Sequence, residues 1–247
     1  KNGAKKGKIA FQIHAGKPMK VEFKDVRLKN LNDDFDKTKL LLSEKTFGDP
    51  LGLPCPEDGI VLLGENGDLS QWQMENGGGP VKWKEKNGVI TVTDGDIATK
   101  KEFGDTRIHL EFKVPEGSGN SGVYIQQRYE VQILNSFGKE KIGKSDCGAL
   151  YNRKAPSKRA FRPAGEWQTY DILFQEPRWD EAGEKVENVR ISVRYNGVLI
   201  HNNVELPNKT GSGKKEGPNA RPLRLQDHGN PVKFRNVWIV DLGEEHS

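Results

Sequence analysis

The chain has 247 residues, of which 34% are hydrophobic, and it contains 28 glycines and 13 prolines. This length can bury a full-sized core, and the glycine and proline content is typical of a sheet protein that is rich in turns. The apolar runs are only a handful of residues long, so we expect no membrane span. The formal net charge is +4, but the lysine-rich segments 1–8 and 211–217 lack interleaved aromatic residues, which disfavours nucleic-acid binding.

The first predicted element is a segment that resembles the end of the chain. Residues 9–31, IAFQIHAGKPMKVEFKDVRLKNL, align with residues 223–242, LRLQDHGNPVKFRNVWIVDL. Agreement at Gln-x-His and at Phe-[Lys/Arg]-[Asp/Asn]-Val is hard to explain by chance. We therefore interpret residues 1–31 as the closing strands of a preceding domain of the same kind, with alternating apolar side chains that need a partner surface.

A polar connector follows at residues 32–58, and its Asp cluster and late Gly and Pro residues predict a linker. The main domain is predicted at residues 59–243, with a short tail at 244–247. No signal peptide is visible, and the chain begins with Lys1 rather than Met. We expect that any targeting segment has been removed or lies outside this sequence, and that the protein is periplasmic or secreted.

The main domain is predicted to be all-β. Strand patterns cover residues 89–93, 107–114, 170–174 and 189–195, and Asn-Gly pairs at 87–88 and 196–197 predict tight hairpin turns. Short strands with regular turn signals and no long amphipathic helix favour an antiparallel sandwich of two sheets.

The two cysteines, Cys55 and Cys147, are compatible with one disulfide or with none. Their positions in the sequence do not decide whether they meet, because pairing depends on a Cα separation that only the fold sets.

The most informative segment is GNSGVYIQQRYEVQIL, residues 119–134. It predicts two strands, and alternation places Tyr129, Val131 and Ile133 on one face of the second strand, with Glu130 and Gln132 on the other. A carboxylate and a carboxamide on one rigid strand suit a sugar-binding or acid/base site. The alternative is a polar face that simply meets solvent.

Longer blocks resemble the 3-keto-disaccharide hydrolase family, formerly a domain of unknown function. The blocks are GNSGVYIQQRYEVQIL, DCGALY, GEWQTYDILF, PRWD, NGVLIHNNVEL and PLRLQDHGNPVKFRNVWIVDL, together with the entry motif VLLGENGDLSQW at 61–72. The resemblance covers about residues 59–243. It implies a jelly roll of the concanavalin A-like or laminin-G-like type, and it implies cleavage of glycosides that carry a ketone at sugar carbon 3.

Such chemistry requires a base near C2, an electrophile for the enolate oxygen and groups that orient the sugar ring. It does not require the two opposed carboxylates of an ordinary glycosidase. We predict Glu130 and His228 as catalytic residues that share one concave pocket with Gln132, and the same pair as ligands of a possible divalent metal ion. The predicted substrate-binding residues are Asn120, Gln126, Arg128, Gln132, Asp146, Tyr151, Trp179, Gln226 and Arg235.

Each assignment has a structural alternative. Glu130 could pair with Arg128 or Arg235, His228 could cap a hairpin, and most of the five tryptophans could belong to the core. The functional alternatives are a non-catalytic carbohydrate-binding module and a structural domain of a larger extracellular protein, because one fold hosts many functions. The expected partners are a carbohydrate substrate and an upstream domain of the same family.

Overall fold

The computed structural model describes residues 48–243. The strands predicted within 9–31, the tail at 244–247 and most of the predicted linker lie outside the described residues. In the described part of the chain we find no helix of the length and apolarity that crossing a membrane requires.

The described residues form fifteen strands that are joined by turns and loops. The strands are β1 (Ile60–Leu63), β2 (Trp72–Met74), β3 (Lys84–Lys86), β4 (Val89–Thr91), β5 (Ile97–Phe103), β6 (Thr106–Lys113), β7 (Asn120–Ile125), β8 (Tyr129–Leu134), β9 (Gln168–Gln175), β10 (Arg178–Trp179), β11 (Lys185–Glu187), β12 (Val189–Tyr195), β13 (Val198–Leu206), β14 (Arg221–Leu225) and β15 (Lys233–Asp241).

The strands build two main sheets and a short ribbon. The large sheet has the order β13-β12-β9-β6-β15-β4-β3, with β1 also paired with β15. The small sheet has the order β2-β5-β14-β7-β8, and β10 pairs with β11 alone. The strand pairs of both main sheets are antiparallel. This arrangement confirms the predicted all-β jelly-roll sandwich.

Two hairpins form at the predicted Asn-Gly pairs. Asn87 and Gly88, between β3 and β4, have φ values of 54° and 74°, and Asn196 and Gly197, between β12 and β13, have φ values of 49° and 78°. Positive φ at both central residues is what a type I′ turn requires, and Asn and Gly tolerate it best. The sequence therefore determined these two turns locally.

The core lies between the inner faces of the two sheets. Alternate residues of β6, β9 and β15 meet Val123, Tyr129, Val131 and Ile133 of the small sheet in one hydrophobic cluster. Trp72, Trp83 and Trp238 are buried, whereas Trp167 and Trp179 are partly exposed. The predicted core face of β8 is confirmed, because its three apolar residues are all fully buried.

Both cysteines are free thiols, so the structure selects the alternative without a disulfide. Cys147 is fully buried, and its Sγ lies 3.2 Å from the Tyr170 hydroxyl and 3.3 Å from the Tyr195 hydroxyl. Burial raises the pKa of the Cys147 thiol, so this cysteine behaves as a core residue.

The outer face of the large sheet carries a buried polar network centred on Glu111. Its Oε1 accepts from Asn236 Nδ2 at 3.0 Å and from the backbone N–H of Gly52 at 2.5 Å, while Oε2 accepts from Arg235 Nε at 2.7 Å. His109, which donates from Nδ1 to Asp171 at 2.9 Å, lies beside it. Through the Gly52 N–H, this network holds the segment before β1 against the large sheet.

Candidate active site

One face of the small sheet carries a row of polar side chains. In the strand register, Gln73 lies opposite Ala98, Ala98 opposite Arg224, Arg224 opposite Tyr124, and Tyr124 opposite Glu130. Residues that are register partners point to the same side of a sheet, so this row faces away from the core. We call this face the polar face of the small sheet.

Glu130 is the buried carboxyl group of this face. It is 2% exposed and lies opposite Tyr124 on the neighbouring strand. Burial raises the pKa of Glu130 from 4.5 to about 7, although the Tyr124 hydroxyl and the Arg224 charge both favour the carboxylate. A carboxyl group with this pKa can exchange a proton near neutral pH.

Two chain segments flank the strand that holds Glu130. On one side the Tyr151 N–H donates to Glu130 O at 3.2 Å, and the Gln132 N–H donates to Ala149 O at 2.9 Å. On the other side the Glu130 N–H donates to Thr210 Oγ1 at 2.7 Å. These hydrogen bonds hold the backbone of β8 from both sides, and they thereby position the Glu130 side chain.

Glycines provide the space around the Glu130 carboxyl group. A Cβ at Gly122 would lie 2.8 Å from Glu130 Oε1 and 3.2 Å from Gln226 Oε1. A Cβ at Gly211, whose φ is 28°, would lie 2.6 Å from the Tyr151 ring and 3.4 Å from Glu130 Oε2. Both contacts are shorter than side chains normally tolerate, so a larger residue at either position would displace the site.

Arg224 lies next to Tyr124 in the same row and is 6% exposed. Its guanidinium carbon is 3.7 Å from the centre of the Tyr124 ring. Its Nη1 lies 3.4 Å from both carboxylate oxygens of Glu75 and 3.4 Å from Asp96 Oδ2. A stacked ring and two carboxylates thus hold the guanidinium in one orientation.

Several buried polar atoms of this face have no hydrogen-bond partner among the described residues. They are Glu130 Oε2, Gln132 Oε1, Asn120 Oδ1, Arg224 Nε and Arg224 Nη2. A buried polar atom without a partner costs about 1–3 kcal/mol, and native structures contain few of them. Their concentration on one face indicates a site that binds a polar ligand.

Comparisons with known proteins place this chain in a family. Residues 59–240 match the model of the 3-keto-alpha-glucoside-1,2-lyase-like domain. The chain belongs to this family. This match confirms the resemblance noted in the sequence and identifies the chain as a carbohydrate-active enzyme domain of the glycosyl hydrolase type.

Solved structures support the family assignment. A protein of Parabacteroides distasonis, provisionally named a glycosyl hydrolase, is 35% identical with a TM-score of 0.70, and the match covers 76% of this chain and 85% of that one. A second such protein of P. distasonis is 24% identical with a TM-score of 0.55 over 74% of this chain and 94% of its own, which shows the shared fold. Among curated proteins, none matches this chain significantly.

The structure of this 3-keto-alpha-glucoside-1,2-lyase-like domain places four of the predicted substrate-binding residues on or beside the polar face that carries Glu130. Asn120 shares the polar face with Gly122 and Tyr124 through the two-residue repeat of β7. Gln132 follows Glu130 on the same face of β8, and Gln226 Nε2 lies 3.4 Å from the Tyr124 hydroxyl. Tyr151 packs at the position of Gly211, above the carboxyl group.

Gln126 and Arg128, also predicted to bind substrate, belong instead to the turn between β7 and β8. Gln126 and Gln127 have φ values of 51° and 54°, a conformation that is costly for residues other than glycine. Gln126 donates to Phe103 O and Glu176 and accepts from Arg128 Nη1. The side chains of Gln126 and Arg128 therefore stabilise the turn.

Asp146 and Arg235 are also engaged elsewhere. The Asp146 carboxylate accepts from Ser136, Lys139 and the Gly143 N–H, so it stabilises its own loop. Arg235 lies on β15 of the large sheet and bonds Glu111, so it does not share the polar face. The sequence left open that Glu130 forms an ion pair with Arg128 or Arg235. In the structure both arginines have other partners.

Trp179 and His228 lie outside the row that contains Glu130. Trp179 is half-buried on the β10–β11 ribbon, and its Nε1 is buried without a partner among residues 48–243. His228 is exposed in the loop between β14 and β15, two residues after Gln226. Glu130 and Gln132 therefore share one face of β8, and His228 lies on the loop after β14, so the pocket of all three residues stays a prediction.

The predicted metal site requires a cluster of ligands, because a protein-bound divalent ion usually has three or more side-chain donors. Within residues 48–243 there is no group of three or more His, Cys, Asp or Glu side chains placed to hold a metal ion. The donor set around Glu130 consists of a phenol, amides and a guanidinium. It does not fit a metal centre, and we derive no step through one.

Sequence reasoning missed Tyr124, Arg224, Glu75 and Asp96. Tyr124 was missed because a tyrosine in a strand is most often a core residue. For Arg224 a signal was present, because an arginine between two leucines in PLRLQ alternates outward from a buried strand. The carboxylates that hold Arg224 come from distant segments, so no local pattern connects them.

Proposed function

We propose that this domain cleaves glycosides whose sugar carries a ketone at C3. The observation that carries the proposal is Glu130, a buried carboxyl group with one unpartnered oxygen on the polar face. Family membership supports the substrate class, and the set of unpartnered amide and guanidinium groups supports a sugar ligand. The polar face has one buried carboxyl group that is free to react, which suits elimination better than two-carboxylate hydrolysis.

The proposed reaction begins at C2, whose proton is acidified by the neighbouring ketone. Glu130 removes this proton, and the electron pair forms an enolate between C2 and C3. The enolate then restores the C3 carbonyl, a C1–C2 double bond forms, and the C1–O bond breaks. The protonated Glu130 supplies the proton that the departing oxygen needs, and water later adds at C1 to complete net hydrolysis.

Neighbouring residues support this role of Glu130. Tyr124 lies opposite Glu130 in the strand register, and its hydroxyl favours the carboxylate that accepts the C2 proton. Gln132 Oε1 and Asn120 Oδ1 are acceptors for sugar hydroxyl groups, because each lacks a partner among the described residues. Binding energy from these contacts would position C2 against Glu130.

A non-catalytic binding module is the second candidate. Such a module stacks sugars on open aromatic rings, whereas the Tyr124 ring of the polar face is covered by Arg224. A binding module also gains nothing from a buried carboxyl group whose pKa is raised to about 7. These two features favour the enzyme.

The test is incubation with a 3-keto-disaccharide and with the parent disaccharide that lacks the ketone. We expect release of the free sugar from the 3-keto-disaccharide and not from the parent disaccharide. Glu130→Gln should slow this turnover by about two to four orders of magnitude. Glu205→Gln is the matched control, because Glu205 is an exposed carboxylate paired with Arg190 on the large sheet. Binding of the ketone without cleavage would support the module instead.

A deuterium label at C2 tests the mechanism separately from the substrate class. Elimination transfers the label to Glu130 and then to the departing oxygen, whose hydroxyl group exchanges with water, so C2 of the product should lose it. Direct displacement at C1 leaves the C2 bond intact. Full retention of deuterium in the product would overturn the elimination mechanism even if the ketone is cleaved.

A further inference from the structure

We infer that Arg224 forms a carbonyl-binding site that receives the ketone oxygen and stabilises the enolate, an inference that rests on the proposed function. Arg224 is 6% exposed, and its Nε and Nη2 are buried with no partner among the described residues. These two nitrogens form one edge of the guanidinium, so their N–H groups point in nearly the same direction. The N–H groups of Nε and Nη2 can therefore donate two hydrogen bonds to one oxygen atom.

The opposite side of the guanidinium is already occupied. Nη1 lies 3.4 Å from Glu75 and 3.4 Å from Asp96, and the plane of the group stacks on Tyr124. Glu75 is itself held by Gln127, whose Nε2 donates to it at 3.1 Å. These contacts fix the free edge in place before any ligand binds, which is the arrangement that electrostatic catalysis requires.

The charges around Arg224 select a neutral ligand. Glu75 and Asp96 offset the guanidinium, and Lys214 Nζ lies 3.6 Å from Glu75 on the solvent side. The ionised cluster is balanced, and Glu130 adds a further negative charge when it is deprotonated. An anionic sugar, such as a uronate or a sugar phosphate, would gain no net attraction here.

The chemistry of the free edge points to a carbonyl oxygen. A guanidinium only donates hydrogen bonds, and a ketone oxygen only accepts them. Two donors aimed at that oxygen interact more strongly as negative charge develops on it in the enolate, so they stabilise the transition state more than the ground state.

The position of Arg224 relative to Glu130 fits one sugar ring. Arg224, Tyr124 and Glu130 are consecutive register partners on β14, β7 and β8. The backbones of Arg224 and Glu130 are two strand spacings of about 4.8 Å apart, but the Arg224 guanidinium lies over the Tyr124 ring, 3.7 Å from its centre, and so reaches towards Glu130. A sugar lying over this row presents its C2 proton to Glu130 and its C3 oxygen to Arg224.

The experiment compares Arg224→Lys and Arg224→Met with the wild-type domain on a 3-keto-glucoside. Lysine keeps the charge but loses the two-donor edge, so we expect kcat to fall about 10²–10³-fold with KM changed far less, the usual cost of an oxyanion donor. Arg190→Lys and Arg190→Met are matched controls on an exposed strand residue. A folded Arg224 variant with kcat within about threefold of wild type would overturn the inference.

A binding measurement on the wild-type domain keeps the inference testable if the Arg224 variants do not fold. Calorimetry should show tighter binding of the 3-keto-glucoside than of the same glucoside with a hydroxyl group at C3, and tighter binding than of a 3-keto sugar with a uronate at C6. Equal affinity for ketone and hydroxyl would also overturn it. If wild-type protein shows the ketone preference but no cleavage, the carbonyl site stands and the proposed function fails.

Discussion

Tyr124 and Glu130 lie directly opposite each other on β7 and β8, and the Tyr124 hydroxyl favours the ionised form of the Glu130 carboxyl group. The two residues lie at the centre of the polar face. Burial raises the pKa of Tyr124 above its ordinary value, so the phenol remains protonated and can donate to the carboxylate. The pair therefore combines a proton acceptor with the group that orients it.

The pH dependence of the reaction should report Glu130. Because the base must be deprotonated, kcat/KM on a 3-keto-glucoside should rise with pH through about 7 and then level off. Tyr124→Phe removes a hydroxyl group that lowers the pKa of Glu130, so the rise should move to higher pH. An unchanged pH profile in Tyr124→Phe would show that Tyr124 does not affect the group that titrates.

Glu130→Gln should stabilise the folded domain at alkaline pH. The folded pKa of about 7 lies above the ordinary 4.5, so the contribution of Glu130 is fully present below 4.5 and is lost as the pH rises through about 7. The gap corresponds to a difference on the order of 3 kcal/mol. Denaturant unfolding should show an advantage of Glu130→Gln that grows from pH 5 to about pH 7 and levels off above it, and an advantage independent of pH would contradict this.

Gly122→Ala should impair activity more than folding. The added methyl group would lie 2.8 Å from Glu130 Oε1, 3.0 Å from the Tyr124 ring and 3.2 Å from Gln226. These side chains must move, and a displacement of about 1 Å can cost on the order of 100-fold in rate. Gly48→Ala is the control, since its added carbon meets nothing within 4 Å. Equal kinetics in the two variants would show that the site tolerates the shift.

Acid should weaken the network on the outer face of the large sheet. Burial alone would raise the pKa of Glu111, but the nearby His109 ring and hydrogen bonds from Asn236, the Gly52 N–H and Arg235 lower it to about 2. The stability from Glu111 is therefore present above its ordinary value of 4.5 and is lost as the pH falls through about 2.

The comparison with Glu111→Gln measures this loss. The free energy of unfolding of the wild-type domain should exceed that of the variant by a margin that is constant from pH 5 to pH 6 and shrinks towards pH 2. His109 acts in the opposite direction at higher pH, because its hydrogen bond to Asp171 and the nearby Glu111 carboxylate outweigh its burial and raise its pKa. Its contribution is present below 6.5 and is lost as the pH rises through that raised value.

Local chemistry in the sequence was sufficient for the fold class and for part of the site. The Asn-Gly turns depend only on which residues tolerate positive φ, and the two faces of β8 depend only on the two-residue repeat of a strand. These rules placed Glu130 and Gln132 together, opposite a core of Tyr129, Val131 and Ile133, as the structure shows.

The sequence by itself determined the strands, their inner and outer faces and the family, because alternation and turn preferences act between neighbours along the chain. Only the tertiary structure decided which strands share a sheet, since strand pairing joins distant segments. It therefore separated Arg235 from Glu130 and placed Arg224 two strands from it. It also decided which polar atoms remain buried without partners, because burial is set by the packing of the whole domain.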